Sequence, residues 1–108
     1  MKNLETNDNF KEIVANTPIL FVDFYADFCG PCKALTPILQ EISQEMPHVT
    51  FLKVDTDEHG DIATEIGIRS IPFLIIYKDG KEVERTIGAR PKDGLKKWIE
   101  EALTKPTA

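Results

Sequence analysis

The chain contains 108 residues, of which 42% are hydrophobic and 29% are charged, and its formal net charge is −5. This length predicts one domain, residues 1–108, which can bury roughly two-thirds of the unfolded surface and therefore does not need its two cysteines as a staple. The negative charge argues against nucleic acids and anionic membranes as partners.

The N-terminal segment has no apolar region of the kind found in secretory signals. The apolar runs at residues 19–25 and 73–77 are too short to cross a bilayer. Without a signal or a span, the reducing cytoplasm is the expected location, and we expect a monomer there.

The first half of the chain alternates strand and helix patterns. A short strand is predicted at Leu4, a helix over residues 7–16, and a buried strand over residues 19–26. A second helix is predicted from the cysteines onward, and Pro37 should kink it without ending it. Its core face consists of Leu35, Ile38, Leu39, Ile42 and Met46.

The second half closes with a hairpin and a helix. A strand is predicted over residues 50–55, followed by a short helix around Ile62 and Ile66 that ends at Gly67. Two strands over residues 73–77 and 82–87 are joined by a turn at 79–80. The last predicted element is a helix whose apolar stripe consists of Leu95, Trp98, Ile99, Ala102 and Leu103. The order β-α-β-α-β-α-β-β-α predicts an α/β fold, with a mixed sheet of four to five strands flanked by four helices. Strands separated by a helix are expected to pair in parallel, and the hairpin adds antiparallel strands.

Cys29 and Cys32 stand two residues apart at the start of the second helix, where they can pass between dithiol and disulfide. If Cys29 is the helix N-cap, the Cys32 amide is the natural donor to its sulfur, because Pro31 has no N–H. This bond and the helix dipole both favour thiolate, the nucleophilic form. We predict that Cys29 attacks a disulfide and that Cys32 resolves the product. The alternative is a pair of buried structural cysteines.

Asp23 interrupts the apolar strand six residues before Cys29. Burial should raise the pKa of this carboxyl group, which suits a group that takes and gives a proton near neutrality. The alternative is a structural acid paired with Lys53, whose strand should lie nearby. The two roles are compatible, since Lys53 could tune Asp23.

The chain resembles the thioredoxin family over nearly its whole length. The matching segments are residues 22–26, Cys-Gly-Pro-Cys-Lys at 29–33, Pro37, and residues 53–55, 67–72, 78–80 and 88–89. A Cys-x-x-Cys near a βαβ pattern is typical of thioredoxin-like redox motifs. Two positions depart from the family pattern: Phe28 replaces a usual tryptophan and Phe73 a frequent threonine. The loss of the indole N–H at Phe28 is expected to affect the preference for partners and to leave the chemistry of the two cysteines unchanged.

The resemblance implies a thioredoxin fold and a general protein-disulfide reductase that acts through a mixed disulfide. It also implies that no cofactor is bound and that thioredoxin reductase, using NADPH, recharges the pair. Asp23 would deprotonate Cys32 through a water, and the Ile71–Pro72 bond would be cis.

A small apolar docking surface is expected around Cys29, where the exposed backbone of Ile71 can pair with an extended substrate segment. Its expected members are Phe28, Gly30, Pro31, Ile71, Pro72, Gly88 and Ala89. Gly88 is included because a missing side chain permits close backbone approach. Lys33 and Arg69 are expected to be solvated flanking cations, His48 and His59 surface residues, and Trp98 a core residue.

Three other functions fit parts of the pattern. A thiol oxidant or isomerase would use the same cysteines, although Gly-Pro between them resembles the reducing members. A zinc or iron–sulfur site would need two chains, because one chain supplies only two cysteines and structural zinc takes four ligands. A redox-independent scaffold subunit would keep its function after both cysteines are replaced by serine.

Overall fold

The computed structural model describes residues 1–105, and the last three residues of the predicted domain, 106–108, lie outside the described residues. The elements are β1 (Lys2–Asn3), α1 (Phe10–Asn16), β2 (Ile19–Tyr25), α2 (Gly30–Glu45), β3 (Thr50–Asp55), α3 (Gly60–Ile66), β4 (Phe73–Lys78), β5 (Lys81–Ile87) and α4 (Lys92–Leu103). The predicted order of strands and helices is confirmed. Within residues 1–105, no helix combines the length and apolar character needed to cross a membrane.

The five strands form one mixed sheet in the order β1-β3-β2-β4-β5. The strands β1, β2 and β3 are parallel, whereas β4 runs antiparallel to both β2 and β5. The prediction that strands separated by a helix pair in parallel is therefore wrong for β4. The helix α3 has only seven residues and rises about 10 Å, which is half the length of a six-residue strand of about 20 Å. It is therefore too short to return the chain to the far end of the sheet, where a parallel strand would have to begin.

The antiparallel entry of β4 determines what lies near the cysteines. Phe73, the first residue of β4, pairs with Phe24 near the end of β2. The chain leaves β2 toward Cys29 and enters β4 from Pro72 at this same edge. The two cysteines and the Ile71–Pro72 segment therefore meet at one end of the sheet, although about 40 residues separate them in sequence.

Two apolar layers cover the sheet. The helices α2 and α4 pack on one face, where Leu35 and Leu95 meet Phe21, and the helices α1 and α3 pack on the other. Side chains alternate between the faces of a strand, so Asp23 shares the face of Phe21 and lies under α2. Trp98 lies at the rim of this core, partly buried, with its ring edge-to-face with Phe21 at 6.3 Å between centroids.

The structure differs from the prediction at the first strand, at the start of α1, which is Phe10 rather than residue 7, and at His59. The first strand is Lys2–Asn3, and Leu4 follows it, buried, with its amide bonded to the carbonyl of Lys53. His59 was expected on the surface, and this is wrong: it is buried, with Nε2 3.1 Å from the Leu4 oxygen. The pairing of β1 with β3 brings Leu4 over the turn that contains His59. His48 is exposed, as predicted.

Candidate active site

Cys29 and Cys32 form a disulfide at the N-terminus of α2, with 5.2 Å between their Cα atoms. Cys29 is the N-cap, in extended backbone conformation, and its sulfur accepts a hydrogen bond of 3.2 Å from the Cys32 amide. The predicted cap is therefore confirmed. The helix runs on through Pro37 to Glu45 without ending, also as predicted.

The two cysteine residues differ in their exposure to solvent. Cys29 is 9% exposed and Cys32 only 2%, and both belong to a small buried cluster with Ala26, against which Ile71 packs. Phe28, directly before Cys29, is 77% exposed. Gly30 and Pro31, which follow Cys29, are also exposed. A disulfide partner can therefore approach from the Cys29 side.

Asp23 is fully buried in the middle of β2. Among residues 1–105, neither of its carboxylate oxygens has a hydrogen-bond partner. Desolvation raises the pKa of Asp23 to about 7, and the positive charge of Lys53, its register neighbour on β3, partly opposes this rise. The raised pKa confirms the prediction from the apolar strand, and Lys53 acts on Asp23 through its field, without a hydrogen bond.

The ammonium of Lys53 has two contacts of its own. Its Nζ donates a hydrogen bond of 3.0 Å to Oγ1 of Thr36, and it lies 4.2 Å from the centroid of the Tyr25 ring. These residues and Cys32 line a small cavity of about 70 Å³. A water needs about 10–15 Å³ and polar partners, so this cavity is large enough to hold one between Cys32 and Lys53.

A second cluster of predicted residues surrounds the Ile71–Pro72 bond, which is cis as the resemblance implied. The Gly88 amide donates to the Pro72 carbonyl at 2.8 Å, which holds the loop after β5 beside Pro72. The predicted close backbone approach concerns a docking partner and stays a prediction; within the described chain, a Cβ at this position would meet nothing within 4 Å. Gly88 is needed because its φ is +90°, which L side chains rarely adopt. Ala89 follows it, exposed.

Two residues of this region were missed by sequence reasoning. Ile87, next to Gly88, is a large apolar side chain that is 59% exposed. Its place at the end of an amphipathic strand gave no signal that it would face solvent. Thr36 was missed because its bond to Lys53 joins α2 to β3 across 17 residues of sequence. Lys33 and Arg69 are exposed, as predicted.

Metal binding receives no support from the side chains that the structure describes. Between residues 1 and 105, no group of three or more His, Cys, Asp or Glu side chains could hold a metal ion. The described cysteines are joined to each other.

The chain is similar to known thioredoxins in sequence and in structure. The thioredoxin family model matches residues 2–101. The chain is 48% identical over 99 residues to a thioredoxin of Chlamydia muridarum, covering 92% of this chain and 96% of that one. It is 44% identical over 89 residues to thioredoxin H-type 1 of Nicotiana tabacum, covering 82% of this chain and 71% of that one.

Solved structures agree with this assignment. Plasmodium falciparum thioredoxin has a TM-score of 0.87 at 34% identity, with 94% of this chain and 98% of that one covered. The oxidised mitochondrial thioredoxin 3 of Saccharomyces cerevisiae has a TM-score of 0.85 at 36% identity, with 94% of each chain covered. The family's redox group is its own cysteine pair, used without a bound cofactor. This chain, with its cysteine pair at the start of α2, therefore belongs to the thioredoxin family and is a protein-disulfide oxidoreductase.

Proposed function

We propose that the protein is a general reductase of protein disulfides, which acts through a mixed disulfide with Cys29 that Cys32 resolves. The observation that carries this proposal is the difference between the two cysteines. Cys29 is the more accessible one and accepts the Cys32 amide, whereas Cys32 lies behind it beside the Lys53 cavity.

The reaction begins with the reduced pair. The Cys29 thiolate, favoured by the Cys32 amide and the helix dipole, attacks one sulfur of a substrate disulfide. A bond forms between Cys29 and that sulfur, the substrate S–S bond breaks, and the other substrate sulfur leaves as a thiolate that takes a proton from solvent.

Resolution needs a second thiolate, at Cys32. Its proton passes through water to the Asp23 carboxylate, whose pKa near 7 lets it accept and return a proton at neutral pH. The cavity that Cys32 lines offers room for a water on the Cys32 side of this path, although Asp23 is not among its lining residues. The Cys32 thiolate then attacks Cys29 and expels the second substrate sulfur. The substrate gains two electrons and the protein keeps the Cys29–Cys32 disulfide, the state of this structure.

The substrate docks on the surface around Cys29. Phe28 and Ile87 supply exposed apolar area there, and Ile71, which precedes the cis bond to Pro72, presents its backbone to an extended segment. We include Gly30, Pro31, Gly88 and Ala89 in this surface. This surface suits many partners, because hydrogen bonds to the main chain and contacts with a small apolar patch depend little on which side chains the substrate carries.

Recharging requires a reductase partner. We propose thioredoxin reductase, with NADPH as the ultimate electron source, and a monomeric protein in the cytoplasm. Similarity to bacterial thioredoxins and the Gly-Pro pair between the cysteines support this direction of electron flow.

A redox titration of Cys29–Cys32 in thiol buffers of known potential, read by mass after alkylation, tests the direction. We expect a single two-electron transition well below the glutathione couple, because a reductant must hold its electrons less tightly than its substrates do. A transition near or above the glutathione couple would show an oxidant or isomerase instead.

Asp23→Asn is expected to slow reduction at pH 7 by roughly 100-fold, mainly in resolution, because the amide cannot accept the Cys32 proton. Stopped-flow measurement of substrate thiol release from the mixed disulfide gives this rate at each pH. Asp27→Asn is the matched control, since it removes the same charge from an exposed position near the site. An unchanged pH–rate profile in Asp23→Asn would remove the proton-transfer role.

A further inference from the structure

Thr36 connects the second cysteine to the buried lysine. It lies one helical turn after Cys32, and its Oγ1 is 3.3 Å from the Cys32 carbonyl oxygen and 3.0 Å from Nζ of Lys53. A hydroxyl has one donor hydrogen and two acceptor lone pairs. Thr36 can therefore donate to the Cys32 carbonyl and accept from the ammonium at the same time.

The ammonium needs such an anchor. Lysine carries its charge on a flexible four-carbon stem, and Lys53 is only half-buried, so other rotamers can reach water. Its described contacts at this end are the Tyr25 ring, which attracts the charge without fixing a direction, and the Thr36 oxygen. Of these two contacts, the hydrogen bond to the Thr36 hydroxyl is the one that fixes the direction of the Lys53 ammonium.

We propose that Thr36 is a positioning residue, whose hydroxyl holds the Lys53 ammonium at the cavity beside Cys32 and so within the electrostatic reach of Asp23. The proposal rests on the proposed function, since it assigns Thr36 an effect on the group that serves Cys32. Thr36 touches neither substrate nor sulfur in this role. It acts through Lys53.

The charges around the ammonium decide the direction of the effect. Asp23 on β2 is the buried one, whereas Asp27 and Lys33, which line the same cavity, are exposed and therefore screened by water. Asp55 on β3 is the register neighbour of Tyr25, and burial of the Tyr25 hydroxyl, followed by the charge of Asp55, raises the pKa of that hydroxyl. When the hydroxyl is removed, the ammonium loses its oxygen partner and moves toward water. The carboxylate of Asp23 then loses part of its stabilisation, so its pKa rises.

The test is a titration of the Asp23 carboxyl carbon by NMR in the oxidised protein, for wild type, Thr36→Val and Thr36→Ser. Valine keeps the β-branched shape and removes only the hydroxyl. We expect Thr36→Val to move the midpoint upward by about 0.5 to 1 unit, a part of the roughly 1–3 units that a nearby opposite charge produces. Thr36→Ser should titrate like wild type. A shift of this size lowers the fraction of ionised Asp23 at pH 7 and so predicts a roughly two- to sixfold slower resolution step.

Two further variants separate positioning from general structural effects. Thr17→Val removes the same kind of bond, from a hydroxyl to the carbonyl four residues earlier, at the end of α1. It should leave the Asp23 midpoint unchanged. In a Lys53→Met background, Thr36→Val should no longer move the midpoint, because its effect passes through the ammonium.

An unchanged midpoint in Thr36→Val, a downward shift, or a shift that persists in the Lys53→Met background would overturn the proposal. None of these outcomes depends on activity. Failure of the proton-transfer role would show instead in the resolution rate of Asp23→Asn, so the two failures are distinguishable.

Discussion

Cys29→Ser is expected to abolish reduction of protein disulfides, with a loss of at least about a thousandfold, because a serine hydroxyl is not ionised at neutral pH and does not displace a sulfur. Cys32→Ser should instead form the mixed disulfide and stop there. Intact mass after mixing each reduced variant with a disulfide-containing protein measures this directly. The Cys32→Ser variant should gain the mass of one substrate chain, and the Cys29→Ser variant should gain none.

Loss of structure does not complicate this comparison. Serine is among the favoured N-cap residues, so Ser at position 29 can still accept the Cys32 amide that caps α2. Each variant should be compared with reduced wild type, because neither can form the disulfide, and their thermal melts should be close. Adduct formation by Cys29→Ser and not by Cys32→Ser would reverse the assigned roles. Activity in both variants would point to a function outside the cysteine pair.

The start of α2 could be predicted because its geometry is local. Pro31 cannot donate an amide hydrogen, so the Cys32 amide was the one available cap donor, and the structure has this bond. The raised pKa of Asp23 was predictable for a similar reason, since a carboxyl group within an apolar strand is desolvated wherever the strand packs.

The direction of β4 could not be read from hydrophobic patterns. Periodicity reports which face of an element is buried, but not whether the chain returns to the far end of the sheet before the next strand. That depends on the length of α3 and the path of residues 67–72. This path places Pro72 beside the cysteines, so half of the candidate site rests on a feature that the pattern left open.

Polar contacts between residues that are far apart in sequence could not be predicted either. His59 reaches the Leu4 carbonyl and Thr36 reaches Lys53 across 55 and 17 residues of sequence. A threonine within a helix or a histidine in a polar turn looks like a surface residue until the neighbouring strand is in place. For Thr36 the available signal was its position, one turn after Cys32 on the helix that carries the cysteines.

Asp23→Asn is expected to raise the free energy of unfolding at pH 8 and to change it little at pH 4. The folded state keeps the Asp23 proton up to a pKa of about 7, whereas the unfolded chain releases it near the ordinary value of 3.8. Between these values the folded state binds more protons, so the stability of the wild type falls as pH rises. Below this window Asp23 is protonated in both the folded and the unfolded state, and above it Asp23 is ionised in both, so the stability of the wild type falls no further.

The size of the effect follows from the width of that window. Three pKa units correspond to about 4 kcal/mol at about 1.4 kcal/mol per unit, and the buried amide of asparagine recovers part of this, so we expect a gain of roughly 2–4 kcal/mol at pH 8. Urea denaturation of the oxidised proteins at several pH values measures it, with the exposed Asp27→Asn as the control whose difference from wild type should stay small and flat. A difference for Asp23→Asn that does not grow with pH would mean that the folded protein releases this proton at an ordinary pKa. In that case Asp23 could not exchange a proton with Cys32 near neutrality. A residue that destabilises its own fold in this way is expected where chemistry requires it, because a neutral side chain would otherwise serve the core better.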